Sequence, residues 1–117
     1  MKIMIVDDHE ATRKILKSII LLHITETIEF FEYDDGEDAV QNFVSDTPDY
    51  VLMDVEMKKM NGFEATNLIL KKNPSAKVII MTSNNSSYFR DKAKEANSIG
   101  FVAKDDLSHL FNYLHFS

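Results

Sequence analysis

Lys2-Ile3-Met4-Ile5-Val6-Asp7-Asp8 decides the fold: an unbroken apolar run, residues 3–6, leads straight into two adjacent carboxylates. A run this short, apolar at every position, reads as a strand covered on both faces. The layout recurs along the chain. Tyr50-Val51-Leu52-Met53 ends at Asp54, Lys77 to Met81 ends at Thr82, and Ile99 to Ala103 ends at Lys104. Thr27 to Tyr33 is β-branched and aromatic, a further strand, and it leads into the turn Asp34-Asp35-Gly36.

The segments between these strands carry helical spacing. From His9 to Leu22, Ala11, Ile15, Ile19 and Leu22 predict one apolar face. Ala39, Val40, Phe43 and Val44 mark a second helix, broken by Asp46-Thr47-Pro48. A loop after Asp54 reaches Asn61-Gly62, and the helix that follows runs to about Lys72, where Asn73-Pro74-Ser75 stops it. Ser83 to Ser87 is polar, with Ser86 or Ser87 placed to cap a fourth helix whose narrow face is Phe89, Ala93 and Ala96. Leu107, Leu110, Phe111 and Leu114 predict an amphipathic last helix. Five strand-then-helix units imply an α/β layering, a parallel sheet with helices on both faces.

The 117 residues suit one domain, expected over residues 1–117. The net charge is −6 and the basic residues are scattered, which argues against direct nucleic-acid or anionic-membrane binding. There is no cysteine, so disulfides, thiolate metal sites and a cysteine nucleophile are excluded. The longest apolar stretch, Ile15 to Ile24, is interrupted by Lys17, Ser18 and His23 and does not suit a membrane span. With no signal-peptide pattern at the N-terminus, a cytoplasmic location is expected.

In open parallel sheets the ligand crevice lies at the carboxyl ends of the strands. Asp7, Asp8, Asp54, Thr82 and Lys104 all fall there. Any one of these, alone, would read as a turn former, a cap or solvated surface. Their shared register is what points to a site. Crowded carboxylates need a cation or a proton, and hard oxygen donors favour Mg²⁺. Asp54 could then act as a carboxylate nucleophile, with Lys104 and Thr82 supplying charge and a hydrogen bond to a phosphoryl group. His9, His23, His109 and His115 lack metal-ligand spacing and are read as surface or packing residues. Met53 and Met81 read as core filler. Asn84-Asn85-Ser86 has the form of a glycosylation site but nothing marks the chain for secretion.

These residues carry a resemblance. Ile5-Val6-Asp7-Asp8-His9, Val51-Leu52-Met53-Asp54, Met60-Asn61-Gly62, Ile79-Ile80-Met81-Thr82 and Gly100-Phe101-Val102-Ala103-Lys104 together resemble a bacterial two-component response-regulator receiver domain of the chemotaxis-receiver kind. The resemblance implies a flavodoxin-like (βα)5 three-layer sandwich with sheet order 2-1-3-4-5. It implies that Asp54 is the phosphoacceptor. It further implies that Mg²⁺ or Mn²⁺ is held by Asp8, Asp54 and the backbone carbonyl of Glu56, with Asp7 acting through a water. Thr82 and Phe101 become the switch pair. They would remodel the face of helix 4, strand 5 and helix 5, where a downstream protein docks. Partners would be a sensor histidine kinase or a histidine phosphotransfer protein. Glu56 and Asn84 resemble positions that tune dephosphorylation.

Two positions depart from the family. Lys58 stands where receivers often have a proline, and Asp105 follows Lys104 where a cis proline is common. The isomer of the Lys104–Asp105 bond and the reach of Lys104 are therefore open. So is a second reading, a phosphorylation-independent protein-binding module on the same fold. Asp54→Asn would silence a phospho-switch and leave a pure docking module intact. A flavin carrier would need a phosphate-cradling loop after strand 1, and Asp7-Asp8-His9-Glu10 would repel a phosphate. A hydrolase working through an aspartyl phosphate would need a second acid/base, which the sequence does not offer.

Overall fold

Strand β1 (Lys2–Val6) is hydrogen-bonded on both sides, to β2 (Glu29–Tyr33) and to β3 (Tyr50–Asp54). The computed structural model describes residues 1–115; Phe116 and Ser117, the end of the expected single domain, lie outside the described residues. Strand β4 (Val78–Thr82) pairs with β3, and β5 (Gly100–Ala103) closes the sheet, which is parallel throughout in the order β2-β1-β3-β4-β5. The expected α/β sandwich and strand order are both present. Full burial of β3 and β4, and of β1 beyond Lys2, explains why their sequences do not alternate.

Alternation along each strand divides the core into two layers. Met4, Val6, Val51, Met53, Val78 and Ile80 face α2 (Gly36–Asp46), α3 (Gly62–Lys72) and α4 (Ser87–Glu95). Ile3, Ile5, Leu52, Ile79, Met81 and Val102 face α1 (Glu10–His23) and the C-terminal segment. The two faces of one sheet thus hold separate helical layers. The ends of β1, β3, β4 and β5 remain open at one rim.

Side-chain caps start three of the helices. Asp35 accepts from Glu37 N–H at the start of α2, Asn61 from Glu64 N–H at α3, and Ser86 rather than Ser87 from Phe89 N–H at α4. Asn61 Nδ2 also donates to Glu64 Oε1, at 3.1 Å.

Four expectations need correction. The buried stripe of α1 is Leu16 and Ile20, not Ala11, Ile15, Ile19 and Leu22; Ile15 is 52% and Leu22 83% exposed. The helix has more apolar residues than one face can bury, so its periodicity is degenerate. The rotation that buries Leu16 and Ile20 also brings Arg13 Nε and Lys17 Nζ to Glu32 on β2, at 3.1 and 2.7 Å. Val44 is likewise exposed, while Ala39, Val40 and Phe43 are buried as expected. Strand β2 starts at Glu29, two residues later than predicted, because only there does β1 begin to pair with it.

The last predicted helix is a 3₁₀-helix over Leu107–Asn112 with no side-chain cap. Its apolar pattern is honoured: Leu110 and Leu114 are buried, and Leu107 and Phe111 pack on the same layer. Tyr113 N–H and Leu114 N–H share the Leu110 carbonyl, an i+3 and an i+4 bond on one acceptor. The expected face of helix 4, strand 5 and helix 5 is therefore α4, β5 and this tighter segment.

Candidate functional site

Every residue placed at a strand end by the sequence reaches the open rim. Asp7 follows β1 and is fully buried. Its position is heavily determined: its N–H donates to Tyr33 O at 3.0 Å, and its carbonyl accepts from Arg13 Nη1 at 2.6 Å. Its Oδ1 accepts from His9 N–H at 2.9 Å. Its Oδ2 lies 2.7 Å from Lys104 Nζ.

Asp54 ends β3 and is 4% exposed. Lys104 Nζ lies 2.9 Å from its Oδ1, so one ammonium bridges the carboxylates of β1 and β3. Lys104 is brought there by the backbone: its N–H donates to Thr82 O at 2.9 Å, extending the β4–β5 ladder by one residue. With Asp105 next in sequence the lysine still reaches the site, and no cis peptide bond occurs among the described residues.

Charge balance at the rim is uneven. Burial pushes the Asp54 carboxyl up to about 6; Lys104 opposes this and Asp7 adds to it. Burial alone would lower the Lys104 ammonium, but its bonds to Asp7 and Asp54 outweigh that and hold it above its usual value. Asp8 lies at the rim with one buried oxygen, Oδ1, whose near neighbour is the ring Nδ1 of His9 at 3.0 Å. Two carboxylates, Asp7 and Asp54, thus share one ammonium, and Asp8 adds a third carboxylate at the same rim. The hard oxygen donors gathered at the rim, Asp7 and Asp8 among them, and the raised Asp54 carboxyl fit a small divalent cation.

The raised carboxyl has a measurable consequence. The unfolded chain releases the Asp54 proton near 3.8, the metal-free fold only near 6. Between those values the folded state binds more protons, so this group makes stability fall as pH rises. The difference is on the order of 3 kcal/mol. Metal-free Asp54→Asn should therefore gain on wild type as pH rises from about 4 to about 6, then hold its advantage. Urea unfolding of both proteins across that range would check it, and an advantage that does not change with pH would contradict it.

Thr82 is buried, and its Oγ1 accepts from Asn84 N–H at 3.0 Å in the β4–α4 loop. Phe101 is partly buried on β5 opposite Ile80, and the Arg90 guanidinium lies 5.3 Å from its ring centre. Glu56 is exposed in the β3–α3 loop. That loop is closed at its base by Gly62 N–H donating to Val55 O at 2.9 Å.

Two residues at the rim were not singled out for this site by sequence. His9 was read as surface or packing, yet its Nδ1 lies 3.0 Å from Asp8 Oδ1, and Asp7, Asp8 and His9 offer ligand atoms within 4.8 Å of one another. Only the local backbone brings them together, so a search for ligand spacing misses it. Asp35 was read as a turn residue, and its carboxylate also binds Lys59 and Met60 N–H across the β3–α3 loop. No short-range signal marks a contact between residues so far apart in sequence.

The sequence matches the family described as response regulator receiver domain over residues 3–115. Chemotaxis protein CheY of Thermotoga maritima is 33% identical over 103 residues, 88% of this chain and 84% of that protein. The chain spans about half the length of other curated relatives that it matches, which are transcriptional regulatory proteins. A two-component response regulator of the LuxR family from Aurantimonas superposes with a TM-score of 0.87 at 32% identity, covering 95% of this chain and 79% of that one. CheY in the CheX-CheY-BeF3-Mg²⁺ complex from Borrelia burgdorferi superposes with a TM-score of 0.83 at 25% identity, covering 97% and 85%. A parallel β2-β1-β3-β4-β5 sheet, with an acidic rim built on β1 and β3 and a lysine after β5, is joined to a family match over nearly the whole chain, and the protein belongs to the response regulator receiver domain family.

Proposed function

We propose that the chain is a phospho-acceptor switch of a two-component phosphorelay, with Asp54 taking the phosphoryl group. The observation that carries this reading is the Lys104 ammonium bridging Asp7 and Asp54 at the rim, at 2.7 and 2.9 Å. The donor is a sensor histidine kinase or a histidine phosphotransfer protein. An Asp54 carboxylate oxygen forms an O–P bond as the P–N bond of phosphohistidine breaks, and the electron pair leaves with the imidazole. No proton has to be removed from the nucleophile.

Asp8, Asp54 and the Glu56 carbonyl would hold Mg²⁺ or Mn²⁺, with Asp7 reached through a water. When bound, the ion would neutralise the carboxylates and screen the incoming phosphoryl group. Lys104 exchanges its carboxylate partner for a phosphoryl oxygen. Thr82 releases Asn84 N–H to donate its hydroxyl to the same group. That frees the β4–α4 loop to shift, and Phe101 moves inward on β5. Phosphorylation thus favours one of two packings of α4, β5 and the 3₁₀-helix, where a downstream protein docks.

The protein is a switch rather than an enzyme with a small-molecule substrate, with self-phosphorylation and autodephosphorylation as its only reactions. A cytoplasmic setting and the lack of direct nucleic-acid or anionic-membrane binding are part of this reading, supported by the net charge of −6. No helix among the described residues is long and apolar enough to cross a membrane.

The test is intact mass after incubation with a small acyl-phosphate or phosphoramidate donor. One phosphoryl group is expected on wild type with Mg²⁺, and none without Mg²⁺ or on Asp54→Asn. A folded, Mg²⁺-binding wild type that gains no mass would overturn the reading and favour the phosphorylation-independent docking module.

A further inference from the structure

We propose that Asp35 is a positioning residue for the metal site: it clamps the β3–α3 loop, and so holds the Glu56 carbonyl in place. The proposal rests on the phospho-acceptor reading above, which puts that carbonyl among the ligands. It also supplies what Lys58 does not, since a proline at that position would stiffen the loop and a lysine does not.

The two oxygens of Asp35 have divided tasks. Oδ2 accepts from Glu37 N–H at 3.0 Å and caps α2. Oδ1 accepts from Lys59 N–H at 2.9 Å and from Met60 N–H at 3.4 Å, across the β3–α3 loop. Asp35 is 5% exposed, so these bonds are sheltered from water. The N–H groups of Glu37, Lys59 and Met60 outweigh burial and hold its carboxyl below the ordinary carboxylate range. It is therefore a full anion at neutral pH, and bonds to an ionised acceptor are stronger than neutral ones.

The neighbouring contact is equally close. A Cβ on Gly36 would lie 2.8 Å from Met60 O and 2.9 Å from Ala65 Cβ. The Asp35-Gly36 turn thus presses directly on the loop's later half, while Gly62 N–H to Val55 O closes its base. Glu56 lies between those two anchors. A helix cap alone would use one oxygen, and here the second oxygen is spent on the loop.

The division allows the two tasks to be separated. In Asp35→Ser the short hydroxyl still caps α2 but cannot span to the loop. In Asp35→Asn the side chain keeps its length and has one acceptor oxygen for three N–H groups. Titration calorimetry with MgCl₂ on wild type and both variants reads the effect directly. Loss of a supporting contact behind a ligand should weaken Mg²⁺ binding by roughly tenfold or more in Asp35→Ser. Asp35→Asn should shift the same way and serves if the serine variant does not fold. In both, the Mg²⁺ concentration for half-maximal phosphoryl uptake should rise in the same ratio, while the rate returns to that of wild type at saturating Mg²⁺.

Wild-type Mg²⁺ affinity in folded variants would overturn the clamp and leave the phospho-acceptor reading standing. A rate that stays low at saturating Mg²⁺ would also overturn it, because general damage to the fold is not relieved by more metal. A wild type that binds no Mg²⁺ would bring down the metal-site reading and this inference with it.

Discussion

Gly62→Ala is expected to destabilise the protein on the order of 3 kcal/mol and to spoil the β3–α3 loop. The position has no room for a side chain. A Cβ there would lie 2.0 Å from the Asp54 carbonyl oxygen, 2.9 Å from its carbonyl carbon and 3.0 Å from Met53 Cγ. Two of those three atoms are backbone of Asp54, so they cannot rotate away. Relief requires α3 to move off β3 or the Gly62 N–H to Val55 O bond to open. Either movement displaces Glu56 and strains the residue after Met53. The urea midpoint should drop sharply, and Mg²⁺ affinity should fall in whatever fraction stays folded. A midpoint close to wild type would mean that α3 can slide without cost, and that the loop is not pinned at its base.

Lys104→Gln should show the second large effect, in two separable parts. Removing the ammonium leaves Asp7 Oδ2 and Asp54 Oδ1 facing one another without their cation in a buried setting. Breaking one partner out of a buried ion-paired cluster costs about 3–5 kcal/mol. The loss should be largest near neutral pH in metal-free protein. It should shrink as the pH falls, since Asp54 then takes up a proton and the repulsion ends. The second part concerns chemistry. Without a cation for the phosphoryl oxygens, uptake from a small donor should slow by roughly 100-fold, and Asp54 should remain the acceptor. Unfolding curves with and without MgCl₂, together with a time course of intact mass, check both parts. An uptake rate equal to wild type would remove Lys104 from the proposed mechanism.

The strand ends were legible in the sequence for a physical reason. A strand buried on both faces must be apolar throughout, so the first charged residue after it announces the rim. Asp7, Asp54 and Lys104 stand out in this way, and Thr82 does so as the first polar residue after the apolar run of β4. The rotation of α1 was not legible, because Ile15, Leu16, Ile19, Ile20, Leu21 and Leu22 offer apolar stripes on several sides. The stripe that wins, Leu16 and Ile20, packs on Ile3, Ile5 and Leu52 and lets Arg13 and Lys17 meet Glu32, contacts between residues far apart in the chain. The 3₁₀ geometry of Leu107–Asn112 escaped for a related reason. Spacing of i, i+3, i+4 and i+7 tells which side is apolar but not how tightly the backbone winds.

The site divides along the same line. Residues whose chemistry is carried by their own type at a strand end were found. Those that act through geometry were passed over. His9 meets Asp8 in the β1–α1 turn, where its N–H is also held by Asp7 Oδ1. Asp35 reaches the β3–α3 loop only because α2 packs beside it. Lys58 does not stiffen the loop as a proline would, and Asp35 and Gly62 hold that loop at two places. The departure at Asp105 left the reach of Lys104 open, and the β4–β5 ladder, extended through Lys104 N–H to Thr82 O, brings it to Asp54.

The most direct test of the acceptor assignment locates the phosphoryl group itself. Wild-type protein is phosphorylated with a small donor and Mg²⁺, reduced with borohydride and digested for peptide mass analysis. Borohydride converts an aspartyl phosphate to homoserine. Homoserine is expected at position 54 alone, with Asp7 and Asp8 intact. Homoserine at position 7 or 8, or phosphorylated protein with no homoserine at all, would contradict it.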